Sequence, residues 1–71
     1  MRNDTYEYAI IEWLWDVGSI ELILPNGENQ KMQGAYPEII SLLNDLGKNG
    51  WDIATSVASN NWIVWTLKRQ N

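Results

Sequence analysis

The fold is decided by residues 51–69, WDIATSVASNNWIVWTLKR, which predict two strands, Trp51 to Ala58 and Trp62 to Arg69. Asn60-Asn61 lies between them, and both asparagines tolerate the positive φ that a tight two-residue hairpin turn needs. Such a turn fixes which residues lie opposite one another. The predicted pairs on one face are Ala58 with Ile63, Ser56 with Trp65, Ala54 with Leu67, and Asp52 with Arg69 as an ion pair.

The two faces of this hairpin predict different neighbours. On the face just described, small residues on one strand lie opposite large ones on the other, so a helix can approach the sheet closely. The opposite face is rich in β-branched residues. Because one helix covers only one side of a sheet, we expect a second subunit to bury that face. It carries Ile53, Thr55 and Val57 opposite Lys68, Thr66 and Val64, with Trp62 at the turn end.

An amphipathic helix is predicted from Pro37 to the region of Gly50. Its apolar residues follow the helical spacing i, i+3, i+4 and i+7. Proline is tolerated in a first helical turn, acidic Glu38 suits the start of a helix, and Lys48 suits its end. Gly50 is placed to form a left-handed cap. The apolar stripe consists of Ile39, Leu42, Leu43 and Leu46.

The first third of the chain predicts two more strands, Thr5 to Trp15 and Ile20 to Leu24, which pair as an antiparallel hairpin. Pro25-Asn26-Gly27 is a turn signal, and we expect a polar loop from there to about Ala35. An alternative interpretation makes Asn26-Gly27 a hairpin turn that leads into a polar edge strand near Gln30 to Gln33. The preferred prediction is one α+β domain over residues 1–71, with a four-stranded antiparallel sheet and one helix on one face, in the order β-β-α-β-β.

Composition excludes several classes of function. Nine acidic residues against five basic ones give a net charge of −4, which argues against double-stranded nucleic acid as a partner. Cysteine and histidine are both absent, so the familiar nucleophilic sites and zinc sites cannot form. We therefore expect no enzyme activity, no metal and no cofactor. The sequence shows neither a signal peptide nor a membrane-spanning segment, and we expect a cytoplasmic protein without membrane contact.

Three short motifs carry a resemblance to a known family. The run from Leu43 to Ile53, LNDLGKNGWDI, is similar to the Leu-Asn-x-x-Gly-x-x-Gly-Trp-Glu-Leu signature of the small bacterial domain-of-unknown-function family numbered 4177. Tyr6-Glu7-Tyr8 and Leu67-Lys68-Arg69 resemble the family's flanking segments. Asp52 stands where the family tends to have glutamate. The resemblance covers most of the chain outside residues 25–35 and implies the β-β-α-β-β architecture, but it implies no activity, because none is assigned to the family.

Five tryptophans in 71 residues are unusually many and lead to the functional hypotheses. Tryptophan is enriched at buried anchors of protein interfaces. We expect a non-catalytic homo-oligomer, a dimer or a larger assembly, with Trp51 and Trp65 in the core; in the blander alternative all five tryptophans belong to the core. The predicted interface consists of Trp13, Trp15, Ile53, Thr55, Val57, Trp62, Val64 and Thr66.

Two further functional alternatives remain open at the level of sequence. In one, a small planar ligand such as a nucleotide is bound or sequestered at a subunit junction, where tryptophan rings stack on it. The residues expected for that site are Trp62, Lys68, Arg69 and Lys31. In the other, the protein is an adaptor whose second sheet face, or whose edge strand Ile20 to Leu24, pairs with a different chain.

Overall fold

A computed structural model describes residues 5–70. These residues form five strands and one helix, and the strands make a single antiparallel sheet with the spatial order β3-β2-β1-β5-β4. The fold is α+β in class and its sheet is antiparallel, as the sequence predicts. The elements are β1 (Tyr6–Leu14), β2 (Ser19–Ile23), β3 (Asn29–Gln33), α1 (Tyr36–Lys48), β4 (Asp52–Ala58) and β5 (Ile63–Gln70).

The strand β3 corrects the prediction of four strands and of a loop over residues 25–35. The turn before it is closed by a backbone hydrogen bond from Gly27 to the Leu24 carbonyl (2.9 Å), and Gly27 has a φ of 89°. The Asn26 side chain accepts a hydrogen bond from the Glu28 backbone N–H at 3.0 Å and so holds the turn. The alternative hairpin interpretation is therefore the correct one. Since β3 pairs with β2, β2 lies inside the sheet, and the prediction of a free edge there is wrong.

The helix α1 packs on one side of the sheet. That side receives the odd-numbered residues of β1 and the even-numbered residues of β2, and these side chains are almost fully buried. The helix contributes two buried side chains to the same cluster, as its predicted apolar stripe requires. The core consists of Ala9, Ile11, Trp13, Ile20, Leu22, Ile39, Leu46, Trp51 and Leu67, with Trp65 packed against it.

Both ends of α1 follow the predicted chemistry. At its start, the Glu38 carboxylate accepts a hydrogen bond from the Ala35 backbone N–H at 2.7 Å. At its end, Gly50 has a φ of 90°, which confirms the predicted left-handed cap. The chain then turns so that the Trp51 backbone N–H donates to the Leu46 carbonyl at 3.1 Å. The Trp51 ring is buried against the core, as expected.

The hairpin β4–β5 follows the predicted register only at its turn end. Ala58 lies opposite Ile63 and Ser56 opposite Trp65, but a bulge between Ile53 and Thr55 shifts the pairing by one residue beyond that point. The extra residue is Ala54. Leu67 is therefore paired with Ile53 rather than with Ala54, and Asp52 lies opposite Lys68 rather than Arg69, so the predicted Asp52–Arg69 pair is wrong.

The turn of this hairpin also differs from the prediction. Positive φ occurs only at glycines within residues 5–70, so neither Asn60 nor Asn61 adopts the left-handed conformation expected of it. The hairpin is closed instead by a hydrogen bond from the Ser59 backbone N–H to the Trp62 carbonyl at 2.9 Å. The register at the turn is kept because Ser59 and Trp62 still lie opposite each other.

Candidate functional site

The side of the sheet away from α1 is uncovered in the monomer, and we call it the open face. Strand alternation places there the residues that do not point to the core. Several of them are large and apolar yet solvent-accessible: Tyr8 is 54% exposed and Val57 is 56% exposed. The open face is made by Tyr6, Tyr8, Ile10, Glu12 and Leu14 of β1, Glu21 and Ile23 of β2, Lys31 of β3, Val64, Thr66 and Lys68 of β5, and Asp52, Thr55 and Val57 of β4.

Pairing across the strands arranges most of the open face, all but Tyr6 and Leu14, in three rows. The central row is apolar or hydroxylated and runs Ile23, Ile10, Thr66, Thr55. On one side of it lies the acidic row, Lys31, Glu21, Glu12, Val64, Val57. On the other side lies a third row, Tyr8, Lys68, Asp52, in which the lysine and the aspartate lie opposite each other.

The charges on the open face are unevenly satisfied. Glu21 accepts a hydrogen bond from the Asn29 side chain at 2.7 Å and lies opposite Lys31 in the register. Lys68 holds its ammonium group over the Tyr6 ring, 5.0 Å from the ring centre. Glu12 is half-buried between Glu21 and Val64, and no hydrogen bond or ion pair to its carboxylate occurs within residues 5–70.

The structure places the predicted interface residues in three environments. Four lie on the open face as expected: Thr55, Val57, Val64 and Thr66. Two tryptophans lie in turns at the ends of strands: Trp15 after β1, where it is 46% exposed, and Trp62 before β5, where it is half-buried. The other two, Trp13 and Ile53, point to the helix side.

The prediction that Trp13 and Ile53 lie on the open face is wrong, for a different reason at each residue. Trp13 is only 2% exposed and belongs to the core. Its indole N–H donates to the Gly34 carbonyl at 3.3 Å, and its ring packs edge-on against Tyr36 and stacks with Trp65. Ile53 was expected on the open face, but the bulge turns it to the helix side, where α1 does not reach β4 and the side chain stays 51% exposed.

The predicted ligand-binding residues are not brought together within one protomer. Lys68 and Arg69 are neighbours on β5 and therefore point to opposite sides of the sheet. Lys31 is on the edge strand β3, which β2 and β1 separate from β5. Trp62 precedes β5, at the opposite end of the strand from Lys68 and about 20 Å away at the usual rise per residue.

Arg69 instead belongs to a cleft on the helix side. The cleft has a volume of about 590 Å³ and lies between the second half of α1 and the sheet. The Arg69 guanidinium donates to Glu7 at 2.6 Å and to the Asn49 carbonyl at 3.1 Å, and it lies 4.4 Å from the centre of the Trp51 ring. The rest of the lining comes from Leu22, Leu24, Leu42, Leu46 and Pro25, which are apolar, and from Asp45, Asn26 and Gln30, which are polar.

Sequence reasoning missed Glu7 as a partner of Arg69. The two residues are 62 positions apart, and they meet only because β1 pairs with β5. The local signal was the Tyr6-Glu7-Tyr8 pattern. Its alternation indicates which side of β1 each side chain lies on, but not which strand pairs with β1. Long-range pairing of this kind cannot be deduced from alternation within one strand.

Comparisons with known proteins add no assignment to these two surfaces. No protein-family model, curated protein or solved structure matches this chain. The resemblance to the family numbered 4177 therefore stays a prediction. Within residues 5–70, no group of three or more acidic side chains is arranged to hold a metal ion, and α1 is too short to cross a membrane.

Proposed function

We propose that this chain is a non-catalytic cytoplasmic binding module that assembles with copies of itself through the open face. The observation that carries the proposal is a sheet with α1 packed on one side and with exposed apolar side chains, among charged ones, on the uncovered side. Tyr8, Ile10 and Val57 are 54%, 38% and 56% exposed on that bare side. Exposed apolar side chains grouped on one face of a sheet are a mark of interaction surfaces in small proteins.

Size gives a second reason for assembly. The nine buried side chains found within residues 5–70 make a small core, and a domain of 71 residues commonly needs further support from a disulfide, a metal or another subunit. The chain has no cysteine for a disulfide. Burying the open face against a second sheet would supply the missing apolar contact, in the way that two sheets form a sandwich.

The first test is the mass of the protein in solution by sedimentation and light scattering over a wide concentration range. We expect a dimer or a larger defined assembly. Val57→Asp and Val64→Asp place a charge on the open face and should shift the assembly to monomers, because an unpaired buried charge is costly. The matched control is Val17→Asp, since Val17 is 65% exposed in the turn after β1 and lies outside the open face.

Two results would contradict the proposal. One is a wild-type protein that stays monomeric up to millimolar concentration, which would favour an adaptor that pairs with a different chain. The other is an assembly that tolerates both open-face substitutions while the circular dichroism spectra show intact folding. Loss of assembly in Val17→Asp as well would show that the effect is not specific to the open face.

A second candidate function is binding of a small ligand in the cleft beside Arg69. The observation in its favour is a volume of about 590 Å³, which lies within the range of ligand sites, lined by an aromatic ring and a fixed charge pair. Arg69 was among the residues expected to bind a ligand, whereas Trp62, Lys68 and Lys31 lie outside the cleft.

The cleft is tested by equilibrium dialysis of the purified protein against a panel of radiolabelled nucleotides. If the cleft binds one of them, Arg69→Ala should abolish binding, and Lys31→Ala, which alters a lysine outside the cleft, should not. Absence of binding across the panel, or binding that survives Arg69→Ala, would rule out a nucleotide site in the cleft. Neither outcome bears on the proposed assembly through the open face.

A further inference from the structure

The helix side of the sheet is only partly covered. α1 packs mainly over β1 and β2, and within residues 5–70 no helix lies over β4 or over the turn end of β5. Ile53 is 51% exposed there, and the Trp65 ring on the neighbouring strand is half-buried. We call this bare strip, together with the flank of α1 that borders it, the shelf. Its residues are Ile53, Ser56 and Ala58 of β4, Ile63 and Trp65 of β5, and Tyr36, Ile40, Leu43 and Gly47 of α1.

Helical spacing places the α1 part of the shelf on the flank that points to β5. Tyr36, Ile40 and Gly47 are spaced i, i+4 and i+11, so they share one face of the helix. The Tyr36 ring packs against Trp13, and the Trp13 ring stacks with Trp65 of β5. The opposite flank of α1 lines the cleft beside β2 and β3 instead. On the shelf side, Tyr36 is 71% exposed and Ile40 is 55% exposed.

The shelf has the dimensions of one helix. Two strands at the usual spacing span about 10 Å, the width of a helix, and the strip from Ile53 to Ala58 is about 17 Å long, or about three helical turns. Ser56 and Ala58 have small side chains, so a helix backbone can approach β4 closely there. The sequence predicts a helix over these small residues, but α1 lies over other strands and leaves them exposed.

A second copy of the chain does not offer a free helix to the shelf, because the apolar stripe of α1 is already buried. Ile39 and Leu46 are 2% and 8% exposed under their own sheet. A second sheet laid over α1 is also unfavourable, because the outer surface of the helix carries Ser41, Asn44 and Lys48. Covering these side chains would bury polar and charged groups. The occupant that remains is a helix from another protein.

We infer that the shelf binds an amphipathic helix of a different protein, about three turns long, which lies on β4 and β5 beside α1. The contacting side of that helix is apolar, because no shelf residue is charged. Its outer side is basic, because the chain carries a net charge of −4 and attracts cations. Binding of a helix through its apolar stripe is a common mode of recognition. The inference goes beyond the proposed assembly, which uses the other side of the sheet.

The test uses a synthetic peptide of leucine and lysine, about 14 residues long, whose leucines repeat at helical spacing. A peptide of the same composition in scrambled order has the same charge but no apolar stripe. Isothermal titration of the purified protein measures the dissociation constant of each peptide. We expect the patterned peptide to bind at least about tenfold more tightly than the scrambled one.

Two substitutions on the shelf should weaken binding of the patterned peptide. Ala58→Lys and Ile40→Lys each place a long cation where the leucine stripe lies, and each should raise the dissociation constant at least about tenfold. The matched control is Val57→Lys, which adds the same charge to the same strand but on the open face. It should change the constant by less than about twofold. All three positions are exposed, and circular dichroism and urea unfolding check that the variants fold.

Several outcomes would overturn the inference. They are equal binding of the two peptides, no binding of the patterned peptide at millimolar concentration, and binding that survives both shelf substitutions. Loss of self-association in Ala58→Lys and Ile40→Lys would show that a second copy covers the shelf and would overturn it as well. The proposed assembly is judged separately, since a wild-type monomer contradicts that assembly and still allows binding to the shelf to be measured.

Discussion

Two glycines near the end of α1 have opposite conformational requirements. Gly47 lies within the helix, and a methyl group added there would meet no atom within 4 Å. Gly50 follows the helix with a φ of 90°, a conformation that L residues with a side chain adopt only at a cost. Single substitutions to alanine therefore distinguish helix propensity from cap geometry at two nearby positions.

We expect Gly47→Ala to raise the free energy of unfolding by about 0.5–1 kcal/mol, because alanine restricts the unfolded chain and favours the helix. Gly50→Ala should lower it by about 1–2 kcal/mol, because the cap requires a left-handed residue. Urea unfolding at a single protein concentration gives both values. Equal effects of the two substitutions would contradict this account of the helix end.

The tryptophans show how far a single residue can be assigned from sequence. Trp51 was predicted in the core because it follows a glycine cap, and the local signal was sufficient. Trp13 was assigned to the interface because β1 is apolar on both sides, so alternation alone did not decide which side is buried. Trp13 is held on the helix side by its contacts with the Gly34 carbonyl and the Tyr36 ring, and these contacts form only in the folded chain.

At the level of elements, the bulge at Ala54 is the feature that sequence patterning could not supply. The segment Asp52–Ala58 has a regular strand composition and contains no proline or glycine that would indicate a bulge. The bulge shifts Ile53 and Asp52 by one position, while the register from Thr55 to the turn remains as predicted. Bulges are frequent at sheet edges, where they disrupt pairing with another chain.

This role of the bulge predicts the effect of deleting Ala54. In the deletion variant, Ile53 and Thr55 become consecutive and keep their partners Leu67 and Thr66, so we expect the domain to fold with a free energy of unfolding within about 1 kcal/mol of wild type. The free edge of β4 becomes flat and continuous, and light scattering at rising concentration should detect larger aggregates.

A lysine on the same edge provides the control. Adding Ser56→Lys to the deletion variant should suppress the aggregates, because lysine on an edge strand opposes pairing with another edge. An unfolded deletion variant, or one that stays as dispersed as the wild type, would show that the bulge does not protect the edge.

Elements with a strong hydrophobic periodicity are predicted correctly from the sequence, and elements with a weak one are not. The stripe on α1 gave the helix and the side that it buries, because four apolar residues repeat at helical spacing. The strand β3, Asn29–Gln33, is mostly polar, since one of its edges is unpaired and both of its sides are largely exposed. Polar composition favoured a loop, and only the turn chemistry at Asn26-Gly27 indicated the strand.

On the scale of the whole molecule, the part of the chain that the structure describes has one short helix on a sheet of five strands. Among residues 5–70, the nine buried residues all lie on the helix side, and β4 is exposed along its full length. The sequence pattern, with one amphipathic helix and several strands, predicts that one sheet face stays uncovered by the helix. It could not predict the rows of charge on that face, because these depend on pairing between β1 and β5, which are far apart in the chain.

The stacked pair Trp13 and Trp65 has an optical consequence. Their ring centres are 6.3 Å apart and their planes are inclined by 18°, close enough for the electronic transitions of the two indoles to couple. Circular dichroism in the far ultraviolet then contains an indole signal beside the peptide signal, and helix content read from one wavelength is distorted. The same signal is useful, because it disappears when the two rings separate and so reports on the packed core without any added dye.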